Sequence, residues 1–424
     1  MKKHHALIGF LIVALWPVWR WYGLRMTDGS DEPWGIIALV VGLGFLWRER
    51  HEIRASRSGV ITSLGVLLVY AVTFPFCPPL IRAVLGLLAI GCLTGSLFRL
   101  PAVWGLVLLS LPIIASLQFY VGYPMRVFAA AMAKTLLSVL GIGVQRVGTD
   151  LYHHGDKVGV DPACSGIEML WVGLFLILCW GAWMKWGLAR TILGLATTTV
   201  VVVVANGLRV TLLYFKESGR VDLPEWTHEG VGLLVFAVLV FVLTKLPVKV
   251  QEEQRNGVAY QWGRKSFSAF AILFLVLGFC PMVGSRAVES ADVVFPGFPD
   301  QWQGCYLEEM TLTESEVAFA KQFPGEIGVF TTGPDKIIMR WVTQPTRKLH
   351  SSADCLRAAG FEIETERAGV FVVTSEQGVF LVEEKISGDD QSWREVSSWF
   401  WAATLRRTQG PWIATTRISP LQQW

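Results

Sequence analysis

The chain has 424 residues, of which 52% are hydrophobic and only 17% are charged. This composition is typical of an integral membrane protein, and the 19 tryptophans suit anchoring at the two membrane interfaces. A formal net charge of +3 gives no reason to expect nucleic-acid binding. The seven cysteines include no C-x-x-C pair, which argues against a zinc site or a thioredoxin-like redox pair. We therefore expect neither a metal nor a cofactor.

The N-terminus begins like a signal peptide, with Lys2 and Lys3 before an apolar core. No small-x-small cleavage site follows this core, and Trp16, Trp19 and Trp21 come instead. The pattern therefore predicts an uncleaved first transmembrane helix.

About nine apolar segments satisfy the usual length criterion for transmembrane helices. These segments are Ala6–Tyr22, Trp34–Trp47, Gly59–Cys77, Leu80–Phe98, Ala102–Tyr120, Pro162–Met184, Thr191–Phe215, His228–Leu246 and Phe267–Val283. The segment Pro124–Val144 mixes Arg126 and Lys134 with apolar residues, which predicts an interfacial helix on the outer face. The expected fold is thus mostly α, a polytopic helical membrane bundle.

The distribution of lysine and arginine predicts the orientation of this bundle. With a cytoplasmic N-terminus, most basic residues of the short loops fall on the inner side, as the positive-inside rule requires. Examples are Lys2, Lys3, Arg48, Arg50, Arg54, Arg57, Arg99, Lys185, Arg190, Lys245 and Lys249. In this topology Cys164, Arg209 and His228 lie at or near the outer ends of three consecutive apolar segments.

The composition changes at about Ser290, where the apolar runs become short and alternate with polar residues. This pattern predicts a small α+β domain, which the same topology places outside the cytoplasm. The expected domains are therefore 1–285, in the membrane, and 290–424, extracytoplasmic. The predicted strands are Lys336–Thr343, Phe361–Glu366, Gly369–Thr374 and Gly378–Ile386, and the predicted helix is Ser392–Arg407.

The first candidate for chemistry is Cys164, in the stretch Asp161-Pro-Ala-Cys-Ser-Gly-Ile-Glu168. Asp followed by Pro predicts a helix start, with Cys164 in the first turn, where the helix dipole favours a thiolate. Ser165 and Gly166 favour a functional thiol, because glycine allows another backbone to approach closely. Glu168 is expected on the same helix face as Cys164. The alternatives are a buried packing cysteine and an interfacial carboxylate paired with a base.

The second candidate is Arg209, in Asn206-Gly-Leu-Arg-Val210. An arginine within an apolar span is costly and is therefore a functional candidate by default. Its guanidinium suits a carbonyl oxygen that gains charge, or a carboxylate such as Glu168. Asn206 lies three residues earlier and is expected on the same face. The alternative is an arginine that snorkels to the outer head groups.

The third candidate is His228, where a polar loop meets the next apolar run. At a helix start its imidazole would tend to remain neutral and able to accept a proton. The alternative is an exposed loop histidine. His153 and His154 form a competing pair, but Tyr152 to Asp156 reads as a turn in a polar loop.

Cysteine, histidine and arginine on one side of a membrane fit nucleophilic acyl transfer. Histidine keeps the thiol deprotonated, the thiolate attacks a peptide carbonyl, and arginine stabilises the oxyanion. The thioester would then pass to water or to an amine.

With these three segments in view, the sequence resembles the exosortase/archaeosortase family of membrane transpeptidases. The resemblance rests on Ala163-Cys-Ser-Gly-Ile167, Asn206-Gly-Leu-Arg-Val210 and His228-Glu-Gly-Val-Gly232. The family's catalytic cysteine, arginine and histidine fall on Cys164, Arg209 and His228. Glu168 stands where the family often has a basic residue, which leaves the subfamily open.

The resemblance implies an integral-membrane cysteine protease or transpeptidase in the bacterial cytoplasmic (inner) membrane. Its implied partners are the C-terminal sorting signals of exported proteins, of the PEP-CTERM kind, together with the lipid bilayer. Such signals combine a short motif, a transmembrane helix and a basic tail. The acceptor that resolves the thioester remains open between water, a lipid and a sugar amine.

The C-terminal domain is similar to the domain that is fused to or encoded beside many exosortases. The mark of that domain, H-x-P-x-x-C followed by Gly-Trp, reads here as His350-Ser-Ser-Ala-Asp-Cys355 and then Gly360-Phe361. The oxidising exterior favours a disulfide between Cys305 and Cys355. The alternative is a second thiol site formed by His350 and Cys355.

Two other functions compete with peptide cleavage. One is a non-enzymatic membrane subunit of an exopolysaccharide export or assembly system, with Arg209 and His228 lining a polar path. Such a subunit would more often show repeated halves or helices broken at mid-membrane. The other is a quinone-linked thiol oxidase, which needs a pair of outer cysteines, whereas Cys164 has no partner close in sequence.

Overall fold

The structure is a computed structural model and describes most of the chain. The described residues are 2–27, 34–50, 53, 57–74, 77–153, 156–160, 164–218, 224, 227, 230–234, 237, 241, 264–279, 294–312, 314–321, 323–353, 356, 361–367, 369–375, 378–388 and 391–421. The chain folds into two compact units. Unit 1 comprises Met1–Ser116 and Gly166–Arg286, and unit 2 comprises Leu117–Ser165 and Ala287–Trp424.

Unit 1 is built from apolar helices. They are α1 (Lys2–Ala14), α2 (Trp16–Thr27), α3 (Trp34–Arg48), α4 (Arg57–Thr73), α5 (Pro79–Leu93) and α6 (Pro101–Leu109), and then α7 (Ile114–Leu117), which runs across the boundary into unit 2. The second part of the unit contains the helices that follow the candidate thiol, α9 (Ile167–Trp183), α10 (Leu188–Glu217) and α11 (Arg264–Phe279).

Among the described residues, α10 is the one helix that is long and apolar enough to cross a membrane by itself. Two bent pairs would each qualify as one span, namely Ala6–Ala14 with Trp16–Thr27 and Pro101–Leu109 with Ile114–Val139. The helices α3, α4, α5 and α9 are apolar and have 15–17 residues. A helical membrane protein is confirmed, whereas the count of about nine spans stays a prediction.

Two predicted spans are interrupted where the sequence supplies a break. The span Ala6–Tyr22 changes direction by 59° at the junction of α1 and α2, next to Pro17. The span Ala102–Tyr120 ends its first helix at Leu109, and Pro112 lies in the short turn before α7. Proline has no N–H to donate to the preceding turn, which explains why the helix does not continue through these positions.

Small residues let the helices of unit 1 approach closely. A Cβ built on Gly42 of α3 would lie 3.2 Å from Cγ2 of Val107 on α6, and one on Gly35 would meet the carbonyl oxygen of Ser110. Such small-residue contacts are the usual way in which helices pack where the hydrophobic effect gives no preference between neighbours.

The turn between α9 and α10 is fixed by both packing and charge. Trp186 lies against two glycines, since a Cβ on Gly181 or Gly194 would approach its ring to 2.9 Å or 2.7 Å. Lys185 Nζ donates to Oε2 of Glu49 at 2.7 Å, which ties this turn to the end of α3. The candidate helices α9 and α10 therefore form a hairpin whose closed end is held in place.

Unit 2 begins with a segment that joins α7 to the candidate thiol. A π-helical turn, Gln118–Gly122, is followed by α8 (Tyr123–Val139), which corresponds to the predicted interfacial helix. Three short antiparallel strands follow in the order β1 (Gln145–Val147), β2 (Asp150–His153) and β3 (Asp156–Gly159).

The C-terminal part of unit 2 is an antiparallel sheet with two helices. The helices are α12 (Glu314–Ala320) and α13 (Val396–Thr404). The strands are β4 (Gln301–Trp302), β5 (Cys305–Tyr306), β6 (Glu308–Glu309), β7 (Gly325–Thr332), β8 (Asp335–Val342), β9 (Glu362–Arg367), β10 (Val370–Ser375), β11 (Gly378–Ser387), β12 (Ser392–Trp393) and β13 (Trp412–Pro420). The strands β4 and β5 form a two-stranded hairpin, and the eight-stranded sheet has the order β6-β7-β8-β13-β11-β10-β9, with β12 paired to β11.

The core of this domain lies between α13 and the sheet. Val396, Trp399 and Ala403 follow one another at helical spacing and are buried against Trp412 and Ile386. A β-rich C-terminal region is confirmed, whereas the bounds of the predicted α+β domain and its extracytoplasmic location stay predictions. The predicted helix Ser392–Arg407 is shorter than expected, because Ser392 and Trp393 pair with β11 as a strand.

Candidate functional site

Cys164 lies directly before α9, and its side chain is buried, with 7% of its surface exposed. The helix begins at Ile167, and Gly166 is its N-cap with a left-handed φ of +78°. Cys164 lies in a 3-10 turn that precedes α9, so the expected helical turn at Cys164 is present, whereas the expectation that Cys164 and Glu168 share one face of one α-helix is wrong. Only glycine adopts this backbone conformation without strain, so Gly166 sets where the helix starts. Asp161, Pro162 and Ala163 lie outside the described residues.

Gly166 also makes room for Asn206 on the next helix. A Cβ built on Gly166 would lie 2.7 Å from Cγ of Asn206, a distance that real Cβ atoms do not adopt. Asn206 is 1% exposed, so the contact lies in the interior of unit 1. A close approach at Gly166 is thus present, but its partner is a polar side chain of α10 and not the backbone that was expected.

Arg209 lies three residues after Asn206 on α10, which places the two side chains on neighbouring parts of one helix face. A Cβ built on Gly232 would lie 3.6 Å from both Nε and Nη2 of Arg209. Residues 230–234 are helical, so the guanidinium lies against the helical part of the third motif segment. His228 and Glu229 lie outside the described residues.

Two glycines therefore bring together the three sequence segments that suggested the function. Gly166 of the first segment meets Asn206 of the second, and Gly232 of the third meets Arg209 of the second. Each of these contacts is internal to unit 1. Arg209 and Asn206 thus belong to one cluster of motif residues, and the roles assigned to individual residues remain predictions.

Glu168 is exposed in the first turn of α9 and is the acidic residue of that turn. A carboxylate at this position is favoured by the positive end of the helix dipole. The alternative in which Arg209 holds Glu168 stays a prediction.

Ser165, next to Cys164, is held from within unit 2. Its Oγ donates a hydrogen bond to Oε1 of Gln118 at 2.8 Å, and Ser165 is 3% exposed. Gln118 was not among the predicted site residues. The available signal is that Gln118 is the single amide in the apolar stretch 111–122, where a polar side chain needs a partner.

Of the competing histidine pair, the structure describes His153, whereas His154 lies outside the described residues. His153 ends β2 opposite Asp156, the first residue of β3, so Tyr152 and His153 belong to a strand and not to the predicted turn. Nδ1 of His153 is 2.7 Å from the carbonyl oxygen of Gly143. Cys305 is exposed and makes no disulfide bond with any residue that the structure describes. Cys355 lies outside the described residues, so its pairing with Cys305, or with His350, stays a prediction.

The loop after His350 is anchored by a buried charged network. Glu384 accepts hydrogen bonds from the hydroxyl groups of Ser351 and Ser352 and from Nη2 of Arg340. Arg340 and Glu384 are 5% and 3% exposed, and their mutual pairing offsets the cost of burying each charge. These contacts give the loop a defined shape within the sheet.

The apolar helices of unit 1, among them the long span α10, place the chain among helical membrane proteins, here with a β-rich C-terminal region. The family model described as transmembrane exosortase matches residues 2–244, more than half of the chain. The chain therefore belongs to the transmembrane exosortase family, whose members are transmembrane proteases or transpeptidases. No curated protein and no solved structure gives a significant match.

Proposed function

We propose that the protein is an integral-membrane cysteine protease/transpeptidase that cleaves the C-terminal sorting signals of exported proteins. The reaction takes place at the outer face of the cytoplasmic membrane. The observation that carries this proposal is the meeting of the three motif segments through Gly166–Asn206 and Arg209–Gly232. In the sequence, Cys164 precedes Gly166 by two residues.

Cys164 is the nucleophile in this proposal. His228 takes the thiol proton, and the sulfur forms a bond to the carbonyl carbon of the scissile peptide. The carbonyl oxygen becomes negatively charged, and the guanidinium of Arg209 stabilises it. When the C–N bond breaks, His228 returns the proton to the leaving amine and the acyl group remains on sulfur as a thioester.

The second half of the reaction releases the product. Water or an amine attacks the thioester carbon, His228 accepts its proton, and the C–S bond breaks as the thiol is reformed. The overall change is hydrolysis or transfer of a peptide bond, so electrons and protons balance without an oxidant or a reductant.

The position of Arg209 in an apolar helix supports a functional role for its guanidinium. An arginine in an apolar helix is expensive, and it is retained where it faces a protein interior or a substrate path. Here Arg209 is half-buried, and its guanidinium lies close to Gly232. A planar group with fixed donors suits an oxyanion better than a flexible ammonium does.

The substrate in this proposal carries a short motif, an apolar helix and a basic tail, of the PEP-CTERM kind. The substrate helix shares the bilayer with the enzyme, which presents the motif at the outer interface where the thiol is expected. The implied partners are thus exported membrane-anchored proteins and lipid. The acceptor is water, a lipid or a sugar amine.

The test is processing of a co-expressed substrate by Cys164→Ala and Cys164→Ser. We expect both variants to accumulate the unprocessed substrate at unchanged enzyme levels, and mass spectrometry should find no new substrate C-terminus. The matched control is Cys92→Ala, because Cys92 is a buried cysteine of α5 that lies outside the proposed site. Normal processing by Cys164→Ala would overturn the enzymatic proposal and would favour the non-enzymatic export subunit.

A further inference from the structure

In the π-helical turn of unit 2, two backbone carbonyls receive no hydrogen bond from the helix itself, and the cause is one proline. Pro124 has no N–H, so it cannot donate to the carbonyl of Tyr120, its partner in an α-helical register. In a π register the carbonyl left without that donor is the one of Phe119. These two carbonyls can therefore accept donors from elsewhere in the protein.

Helix α13 of the C-terminal domain supplies those donors. Ser397 Oγ donates to the carbonyl oxygen of Phe119 at 2.5 Å, and Trp401 Nε1 donates to that of Tyr120 at 2.7 Å. Ser397 and Trp401 are four residues apart, so they lie on one face of α13. The C-terminal domain thus recognises the two carbonyls that Pro124 leaves open.

Aromatic rings reinforce the same contact. Phe400 packs edge to face on Phe119 and on Tyr120, with ring centroids 5.0 Å and 5.5 Å apart. The guanidinium of Arg347 lies over the ring of Tyr120, 5.6 Å from its centroid. Phe119 also packs against the core of the C-terminal domain. The turn is therefore an integral part of that core.

An ion pair holds the helix that follows the turn. Arg126 donates through both Nη1 and Nη2 to the two carboxylate oxygens of Glu395, the residue that precedes α13. The side chain of Arg126 is 3% exposed and that of Glu395 is 13% exposed. A two-pronged pair of this kind fixes orientation as well as distance.

The first residue of the turn is Gln118, and its side chain connects the turn to the loop that carries the thiol. Its Oε1 accepts the hydrogen bond from Ser165, which is covalently next to Cys164. A short path therefore runs from α13 to the turn, from the turn to Gln118, and from Gln118 to the loop that carries the thiol. Each step is a contact within unit 2.

We propose that Gln118 is a positioning residue for Cys164, and that the C-terminal domain holds Gln118 in place by docking α13 on the turn Gln118–Gly122. The proposal rests on the proposed function of Cys164. The C-terminal domain then completes the catalytic site by fixing a loop, without touching the substrate. Short helical turns of the π type are often retained at functional sites, which agrees with such a role.

The first experiment compares Gln118→Met with Gln118→Glu in the full-length protein, using a purified sorting-signal substrate. Met keeps the volume of the side chain but removes the acceptor, whereas Glu keeps an acceptor for Ser165. We expect Gln118→Met to lower kcat by about 10- to 100-fold at nearly unchanged KM, because a small misplacement of a reacting group has effects of this size. Gln118→Glu should recover a large part of this loss.

A second readout does not depend on the substrate. The rate at which iodoacetamide modifies Cys164 is measured against pH in a Cys305→Ser background, with the labelled cysteine identified by mass spectrometry. Gln118→Met should change this profile, because the thiol then samples a different environment. An unchanged kcat together with an unchanged alkylation profile would overturn the positioning role.

The third experiment tests the contribution of the C-terminal domain. Glu395→Gln breaks the ion pair with Arg126. We expect this variant to lower kcat, as Gln118→Met does. The matched control is Asp335→Asn, which breaks an ion pair with Arg417 elsewhere in the domain and should leave kcat unchanged. An equal loss of kcat in Glu395→Gln and Asp335→Asn would indicate a general loss of domain stability and would overturn the proposal.

The two proposals fail in different ways. If Cys164→Ala retains activity, the proposed function is wrong irrespective of Gln118. If Cys164→Ala is inactive while Gln118→Met and Glu395→Gln retain the full kcat, the proposed function stands and the positioning role is wrong.

Discussion

Arg126 and Glu395 lie 269 positions apart in the chain and form an ion pair with two hydrogen bonds. The pair joins α8, which follows the π-helical turn, to the start of α13 in the C-terminal domain. Both side chains are largely buried, so each charge depends on the other for compensation. The C-terminal domain is therefore coupled to the segment that precedes Cys164.

The first prediction concerns this coupling. Arg126→Leu leaves the Glu395 carboxylate largely buried without its partner, and breaking a buried pair in this way costs about 3–5 kcal/mol. The melting temperature of the protein in detergent should fall. Arg126→Leu combined with Glu395→Leu should recover part of the loss, because no uncompensated charge remains. A double variant less stable than the single one would contradict this account of the pair.

The second prediction concerns the glycine that begins α9. Gly166→Ala places a Cβ 2.7 Å from Cγ of Asn206 and forces alanine into a left-handed conformation. The backbone strain alone is about 1–2 kcal/mol. We expect a strong loss of substrate processing together with a lower melting temperature. Gly187→Ala is the control, since Gly187 has open space around its Cα and an ordinary φ of −74°, and it should behave like the unmodified protein.

The third prediction concerns Arg209. Arg209→Gln removes the charge from the proposed oxyanion site, and losing one such donor lowers kcat by about 10²- to 10³-fold. Arg209→Lys keeps the charge without the planar fork and should recover only part of the rate. Arg190→Gln, near the opposite end of the same helix, is the control. An equal loss of kcat in Arg209→Gln and in Arg190→Gln would argue against an oxyanion role for Arg209.

The fourth prediction is a pH dependence of stability. Burial acts to raise the pKa of Glu49, but hydrogen bonds from Lys185 and Arg48 outweigh it, so the pKa is lowered overall. A carboxyl group with a lowered folded-state pKa contributes stability above its unfolded pKa and loses it as the pH falls. The melting temperature should therefore drop more steeply below about pH 4.5 than it does in Glu49→Gln. Glu217→Gln, at the exposed end of α10, should keep the steep drop.

The fifth prediction concerns thiol reactivity. In a Cys305→Ser background, a small alkylating reagent should modify Cys164 faster than Cys92, because a functional thiol ionises more readily than a packing cysteine. Substituting His228 by alanine should slow the modification of Cys164 and leave Cys92 unaffected. Mass spectrometry of tryptic peptides measures both rates in one sample. Equal rates at Cys164 and Cys92 would count against an activated thiol.

The hydrophobic pattern predicted the apolar helices and four strands of the C-terminal sheet. These four predicted strands match β8, β9, β10 and β11 to within about a residue at each end. The other strands were not predicted; among them are the long strands β7 and β13, although β13 lies at the centre of the sheet. In β13 the buried positions include Thr416 and Ala414, and β7 contains Gly325 and Gly328, so neither strand shows a clear apolar alternation.

The local form of the site could not be predicted from neighbouring residues alone. Asp161 and Pro162 predicted a helix start, and Cys164 does lie in a 3-10 turn, yet the α-helix α9 begins only at Ile167. The left-handed conformation of Gly166 decides the start, and this conformation is tied to the close contact with Asn206. Tertiary packing of this kind commonly overrides a local helix preference.

The sequence by itself determined the membrane class, the family, and the three segments that carry the candidate chemistry. Composition and short motifs suffice for these three conclusions, because each conclusion depends on residue types and on their spacing along the chain. Only the tertiary structure decided that Gly166 meets Asn206, that Gly232 meets Arg209, and that the C-terminal domain binds the turn before the thiol. Such contacts join residues far apart in sequence, and they form when close packing selects one arrangement of helices over the others.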